Sequence, residues 1–418
     1  MKKMAVYCNC VVLIVVAVSI FGRVESTNAG SHAPGYGFTV AAGRTIYVAD
    51  DGPADFSNIQ AAINDANNGD TIIVADGTYT GPGNRDINFN GKAITVRSAN
   101  GPENCIIDCN GTESDRHRGF VFGYGENANS AIIGLTITNG YGPIIWIPPN
   151  LYMSYGGAIC CINSSPTISN CIISGNVAGA DVGEGGGIYN RRGSPTITNC
   201  TFSSNRANSD GFGGGMNSMD GSPTLTNCIF IGNSATWHGG GMWNGGNETL
   251  NNCILWDNTD IDGKDESAQI YVYGTTPVIN YCCIQGLTGA LGGIGNIGDE
   301  PLFAEPCNGD YHLKSQGGRW TSASSVGPDA NDGRWTRDDV TSPCVDAGNL
   351  VSPVGLESFP NGGRINMGAY GGTTEASKSY FGQPPCEIIV AGDINGDCIV
   401  NFKDFALIAF HWLRDENR

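Results

Sequence analysis

Gly185-Gly186-Gly187-Ile188-Tyr189-Asn190-Arg191-Arg192-Gly193-Ser194-Pro195-Thr196-Ile197-Thr198-Asn199-Cys200-Thr201-Phe202-Ser203-Ser204-Asn205 decides the architecture, because the chain repeats it. Small-residue triplets start at Gly156, Gly185, Gly213 and Gly239. The Cys that closes the second segment of each copy falls at Cys171, Cys200, Cys228, Cys253 and Cys282, 25–29 residues apart. Ser165-Pro166, Ser194-Pro195 and Ser222-Pro223 keep one offset from their triplets. A fixed period of roughly 20–50 residues means a solenoid, a propeller or an array. The segments within each copy run about 4–7 residues, rich in Ile, Thr and Phe and bounded by Gly, Asn and Ser, which describes short strands joined by turns. Helical periodicity is absent, and so are the dipeptide signatures of propeller blades. Three strands per period closed by tight turns predict an all-β chain, a right-handed parallel β-helix whose coils stack about 4.8 Å apart.

Stacking turns each repeated position into a ladder. Ile159, Ile188, Met216 and Met242 form one apolar ladder and the five Cys another, since a buried free Cys behaves as a small hydrophobe. Asn176, Asn205, Asn233 and Asn258 recur in step, and stacked Asn amides bond the copies above and below at a turn. These residues are read as architecture rather than as an active site.

Composition narrows the partners. With 62 Gly, 15% charged residues and a net charge of −18, the 418-residue chain suits a turn-dense solenoid and offers no basic patch for nucleic acid. Lys2 and Lys3, the apolar run Val11 to Phe21 and Val24-Glu25-Ser26 have the pattern of a secretory signal peptide over residues 1–26, with no membrane span after its removal. A secreted or cell-surface monomer is expected. Of 16 Cys, two fall in that leader; Cys105 with Cys109, Cys307 with Cys344 and Cys386 with Cys398 are candidate disulfides in an oxidising compartment, with connectivity left open.

Ahead of the repeats, Asp55-Phe56-Ser57 is expected to cap an amphipathic helix from Asn58 to Ala66 that plugs the open end of the stack with Ile59, Ala62, Ile63 and Ala66. Strands are expected at Thr45 to Ala49, Thr71 to Val74, Ala93 to Arg97, Cys105 to Asp108, Gly119 to Phe122 and Ala131 to Thr138. Beyond Cys283 the period fades into a region read as the cap of the far end, so that the β-helix with both caps spans 27–372. A polar linker follows over 373–389.

Asp393, Asn395, Asp397, Asn401 and Asp404 stand at positions 1, 3, 5, 9 and 12 of a calcium loop, with the Ile399 carbonyl at 7, because Ca2+ needs six to eight oxygens around it. An apolar helix is expected from Phe405 to Leu413. Cys398 replaces the Gly that such loops use for their sharp turn, so a degenerate loop or a sorting tag stands beside the calcium reading.

Ile59-Gln60-Ala61-Ala62-Ile63, Gly69-Asp70-Thr71-Ile72 and Asp76-Gly77-Thr78-Tyr79 resemble the N-terminal pattern of the pectin lyase-like superfamily. Gly-Gly-Gly-Ile and Phe202 to Asn205 resemble the repeats of polymorphic outer-membrane proteins. Residues 390–418 resemble one half of a dockerin, which implies a cohesin-like or cell-surface partner; dockerins carry two loops, and one is present here. The superfamily resemblance implies a polysaccharide lying across several coils on the outside of one strand stack.

Aligned copies supply the outward positions. Tyr155, Glu184, Phe212 and His238 precede the triplet; Cys160, Tyr189, Asn217 and Trp243 follow its core residue; Asn163, Arg192, Asp220 and Gly246 lie further on. Rings of Tyr155, Tyr189, Phe212, His238 and Trp243 would stack on sugar faces, with acids and Arg bonding hydroxyls or carboxylates. For elimination on a uronate, a base must take the proton beside the carboxylate while calcium or Arg neutralises it; Arg191 and Arg192 with Asp181, Glu184, Asp210 and Asp220 are the candidate set. Hydrolysis would pair Glu184 with Asp210 or Asp220. The Trp-Ile-Asp-His, Arg-x-Pro-x-x-Arg and Gly-His-Gly motifs of pectate lyases and polygalacturonases are absent. The expected function is therefore a secreted carbohydrate-directed β-helix, in the style of a polysaccharide lyase, against a non-catalytic adhesion β-helix.

Overall fold

In the computed structural model, the described residues are 43–321, 335–382, 400, 402–406 and 409. The signal-peptide reading and the calcium-loop positions Asp393, Asn395, Asp397, Ile399 and Asn401 lie outside them, as do Cys386 and Cys398. Asp404 is within them, on a helical stretch at 402–406.

Three parallel sheets run along the coils. The threonine sheet has nine strands, from Thr45–Val48 to Val278–Asn280, and includes the segments that start at Thr167, Thr196, Thr224 and Thr249. The asparagine sheet, which precedes the Asn corner, has eight strands from Gly77–Tyr79 to Cys283–Ile284. Seven strands from Ile87–Asn88 to Ile270–Val272 make the triplet sheet. The result is a right-handed parallel β-helix, the hand that right-twisted strands favour for parallel crossovers.

Register follows the repeat. Ile159, Ile188, Met216 and Met242 are directly paired, with Phe120 before them and Ile270 after. All are at most 2% exposed. The five ladder Cys are buried free thiols.

Asn176, Asn205 and Asn233 each donate Nδ2 to the next Asn Oδ1 at 2.9–3.0 Å, and each also donates its backbone N–H to the same oxygen. Gln269 Oε1 ends the series, accepting Asn258 Nδ2 at 2.8 Å. A column of buried amides so bonded leaves few unmet groups at a corner where the chain must turn.

The triplets are explained by crowding. A Cβ on Gly186 would lie 2.4 Å from the Arg206 carbonyl oxygen and 2.5 Å from that of Gly214, so only glycine lets adjacent coils meet there.

Ile59–Asp65 is helical and buries Ile59, Ala62 and Ile63 as expected, but its cap is Asn58, whose side chain accepts from Ala61 N at 2.8 Å. Asp55 instead accepts the Tyr47 N–H. The single strand expected over Ala131 to Thr138 is two, Ala131–Ile133 and Thr136–Thr138, in different sheets; Gly134 turns between them with φ +68°.

The far end closes with residues 285–298. Ile294 and Ile297 carbonyls accept from Tyr281 and Ile284, and Leu287 and Leu291 lie against the core. The region after it is a flank rather than the expected end cap. Phe303, Leu313, Cys344 and Met367 cover the outward Ile229, Ile231 and Ile254 of the asparagine sheet. A second Asn column holds this lobe. Asn199 Nδ2 donates to the Ala369 and Gly371 carbonyls, Asn227 Nδ2 to Gly371, and Asn252 Oδ1 accepts Asn349 N. Outward apolar residues on three successive coils left a face that some other segment had to bury.

Candidate functional site

The two rows aligned from sequence are real ladders. Tyr155, Glu184, Phe212 and His238 pair in parallel register on successive coils. Cys160, Tyr189, Asn217 and Trp243 do the same, and Tyr271 extends the row. The second row lies on the outer side of the triplet sheet, and the first borders it, in the strands and bridges just before the triplets.

At one end, Glu184, Tyr189, Arg191 and Tyr155 come together. Tyr155 stacks on Tyr189 with centroids 4.4 Å apart, and Met153, Ile162 and Met219 pack around them. Burial pushes the Glu184 carboxyl up to about 7, against the lowering pull of Arg191 and of the Tyr189 hydroxyl. Glu184 Oε2 and Arg191 Nε are both buried without a hydrogen-bond partner. A carboxyl poised near neutrality beside a guanidinium with spare donors can exchange a proton while holding an anion.

At the other end, His238 lies flat on Tyr271, with Trp237 and Phe212 at its edges. Its Nδ1 is buried without a hydrogen bond, and Asp262 Oδ2 stands 3.9 Å away. Asn217 Oδ1, between the two ends, is likewise without a donor.

Several expectations about these residues need correction. Tyr155, Tyr189 and Trp243 point outward yet are 8%, 1% and 6% exposed, because neighbouring rings and Met side chains cover their faces. A sugar could not stack on Tyr189. The rings open to solvent are Trp237 and Tyr273 in the row, and Trp146 and Tyr152 on the hairpin Ile144–Ile147/Leu151–Tyr155 that borders it. Arg192 and Asp220 do not join Glu184: they form an exposed 3.9 Å ion pair at the opposite corner, after the triplet strands. Asp210 is exposed on the loop entering the Phe212 corner. Outside these rows, His117 lies between Asp86 at 2.5 Å and Asp115 at 3.1 Å, so neither of its ring nitrogens is free. The candidate disulfides Cys105–Cys109 and Cys307–Cys344 are unformed; Cys307 is exposed whereas Cys344 is buried.

Tyr271 and Tyr273 escaped the sequence reading because the last coil has no glycine triplet to mark its register. The helix Glu266–Gln269 stands in that place.

Another concavity, of about 400 Å3, lies in the flanking lobe among Glu103, Asp310, His312, Arg319, Trp320 and Tyr370. Its charges face one another, His312 with Asp310 and Glu375 and Arg319 with Asp338, although His312 Nε2 and Thr321 Oγ1 are buried there without a hydrogen bond. The outer triplet row, with its unmet polar atoms, is the better candidate.

Residues 157–295 match the family model of the right handed beta helix region, and residues 278–348 match the model described as Disaggregatase related. No curated protein matches the chain. Among solved structures, a mannuronic acid specific polysaccharide family 6 lyase enzyme from human gut microbiota is similar with TM-score 0.34 and 15% identity, over 61% of this chain and 55% of its own. The chain thus spans little more than half of that enzyme. Pectin methylesterase from carrot is similar with TM-score 0.34 and 11% identity, over 60% of this chain and 82% of its own. For pectate lyase Pel9A the values are 0.40 and 16%, over 79% and 97%.

Proposed function

We propose that this chain is a secreted, polysaccharide-directed β-helix protein whose ligand lies along the outer side of the triplet sheet. The observation that supports it is the aromatic rings of these two adjacent rows together with four buried polar atoms lacking partners: Glu184 Oε2 and His238 Nδ1 in the first row, Asn217 Oδ1 in the second, and Arg191 Nε two residues along from Tyr189. A saccharide supplies C–H faces for the exposed rings of Trp237 and Tyr273, and its hydroxyls complete the unmet groups once the side chains covering them move aside. An acidic sugar suits Arg191, which can neutralise a uronate carboxylate.

On such a substrate the reaction is elimination. Glu184 takes the proton beside the carboxylate, Arg191 holds the resulting charge, and the glycosidic oxygen on the adjoining carbon leaves as a hydroxyl, taking a proton from water, so that a double bond forms in the product. Residues 1–26 support an extracellular site of action. The acidic loop from Asp393 to Asp404 would bind Ca2+ as a separate attachment module, with a cohesin-like or cell-surface partner.

The exposed apolar hairpin residues Ile144, Ile145, Trp146, Leu151 and Tyr152 favour a second reading, adhesion without catalysis. Incubating the purified chain with acidic and neutral polysaccharides, with and without Ca2+, separates them. Absorbance from unsaturated ends means a lyase, new reducing ends without it mean a hydrolase, and binding without either means adhesion. Neither binding nor cleavage of any polymer would overturn the proposal.

A further inference from the structure

Cys283 belongs to the last strand of the asparagine sheet, paired with Ile254, and its side chain points away from the core into the seam with the flanking lobe. Cys344 enters the same seam from the lobe. Both are fully buried in one cluster with Ile229, Phe303, Leu313 and Met367, where the Cys283 thiol donates to the Asp299 carbonyl at 3.1 Å. The position of Cys344 is fixed on both sides of its peptide: its N–H donates to Ser342 Oγ at 3.1 Å, and its carbonyl accepts from Met367 N at 3.0 Å. No other described Cys is placed across this seam.

We propose that Cys283 and Cys344 are the sites of an oxidative modification, a disulfide that bolts the C-terminal lobe to the last coil. The step needs a disulfide oxidant such as glutathione disulfide. A thiolate of one Cys attacks it and expels one glutathione thiolate; the second Cys then attacks the mixed disulfide and expels the other. Two protein thiols are oxidised and one small disulfide is reduced to two thiols, the two protons lost by the protein ending on the two glutathione sulfurs. The neighbouring Cys344 thiol and burial raise the Cys283 pKa, so Cys283 in the docked seam is a poor nucleophile. The exchange therefore belongs to folding, before the seam closes. The bond would restrict the unfolded chain between the two positions and keep the lobe on the outward apolar residues it covers.

The test is refolding of the full chain in a glutathione redox buffer, followed by alkylation under denaturant and peptide mapping without reduction. The expected result is a Cys283–Cys344 linked peptide, with a melting midpoint several degrees above that of the reduced chain. Cys307→Ser should leave the link unchanged, whereas Cys283→Ser should abolish both the link and the redox shift. Should Cys283→Ser fail to fold, the map of the unsubstituted chain decides alone. Alkylation of both thiols, or a link from Cys344 to Cys307 instead, would overturn the proposal.

Discussion

The rings of His238 and Tyr271, on adjacent coils, lie 4.1 Å apart and within 8° of parallel. The stack holds the imidazole at the solvent border of the row, with Nδ1 unmet and Asp262 nearby. Tyr271→Ala should free the imidazole and remove a stacking surface, at about 1 kcal/mol, or roughly a fivefold loss of polysaccharide affinity. Affinity retention on immobilised polysaccharide, with circular dichroism as the fold control, checks it.

Glu184, with its carboxyl pushed up to about 7, makes activity pH-dependent. Only the ionised form is a base, so the rate of elimination should rise with pH and level off above about 7. Glu184→Gln should remain folded and lose at least about 100-fold in rate, with no residual rise over the same pH range. A pH–rate profile of both proteins is the measurement.

Glu248 occupies the corner position held by Pro195 and Pro223 in the preceding coils, as the Thr196, Thr224, Thr249 and Val278 bonds to that column show. It is 0% exposed, both carboxyl oxygens lack hydrogen-bond partners, and burial pushes it from 4.5 up to about 7. A raised acid binds its proton more tightly when folded. Its contribution is therefore complete below about 4.5 and is lost as pH rises through about 7. Glu248→Gln should match the parent near pH 4 and exceed it at pH 8 by up to about 3 kcal/mol, read from denaturant unfolding at the two pH values.

Asn205 sits mid-ladder, its Oδ1 accepting from both nitrogens of Asn176 and its Nδ2 donating to Asn233 Oδ1 and the Ile173 carbonyl. Asn205→Ala leaves several buried groups unmet and should cost about 3 kcal/mol or more. Phe202→Ala, which removes one of two rings stacked 4.3 Å apart in the core, should cost about 3–5 kcal/mol. Thermal unfolding of each variant reads the loss.

The coils were legible because each copy repeats the same local chemistry. Ile188 and Met216, or Asn205 and Asn233, announce their contact by occupying the same place in the period. Outward direction was legible for Tyr189 and Trp243, but accessibility was not, since it depends on Tyr155 and Tyr273 lying over them. The docking of the lobe was hidden for a similar reason. Asn199 meets the Gly371 carbonyl across a long stretch of chain that has no repeat to index it. Glu248 was visible as a departure from Pro, yet only the closed corner reveals that its carboxyl has nowhere to reach water.

Hydrogen exchange of the full chain with a retained polysaccharide tests most directly whether the outer triplet row is the ligand site. The account expects slowed exchange at 184–191, 212–217, 237–245 and 270–273, with little change along the threonine sheet. Protection confined to the flanking lobe around His312 and Arg319, or no retention of any polysaccharide, would contradict it.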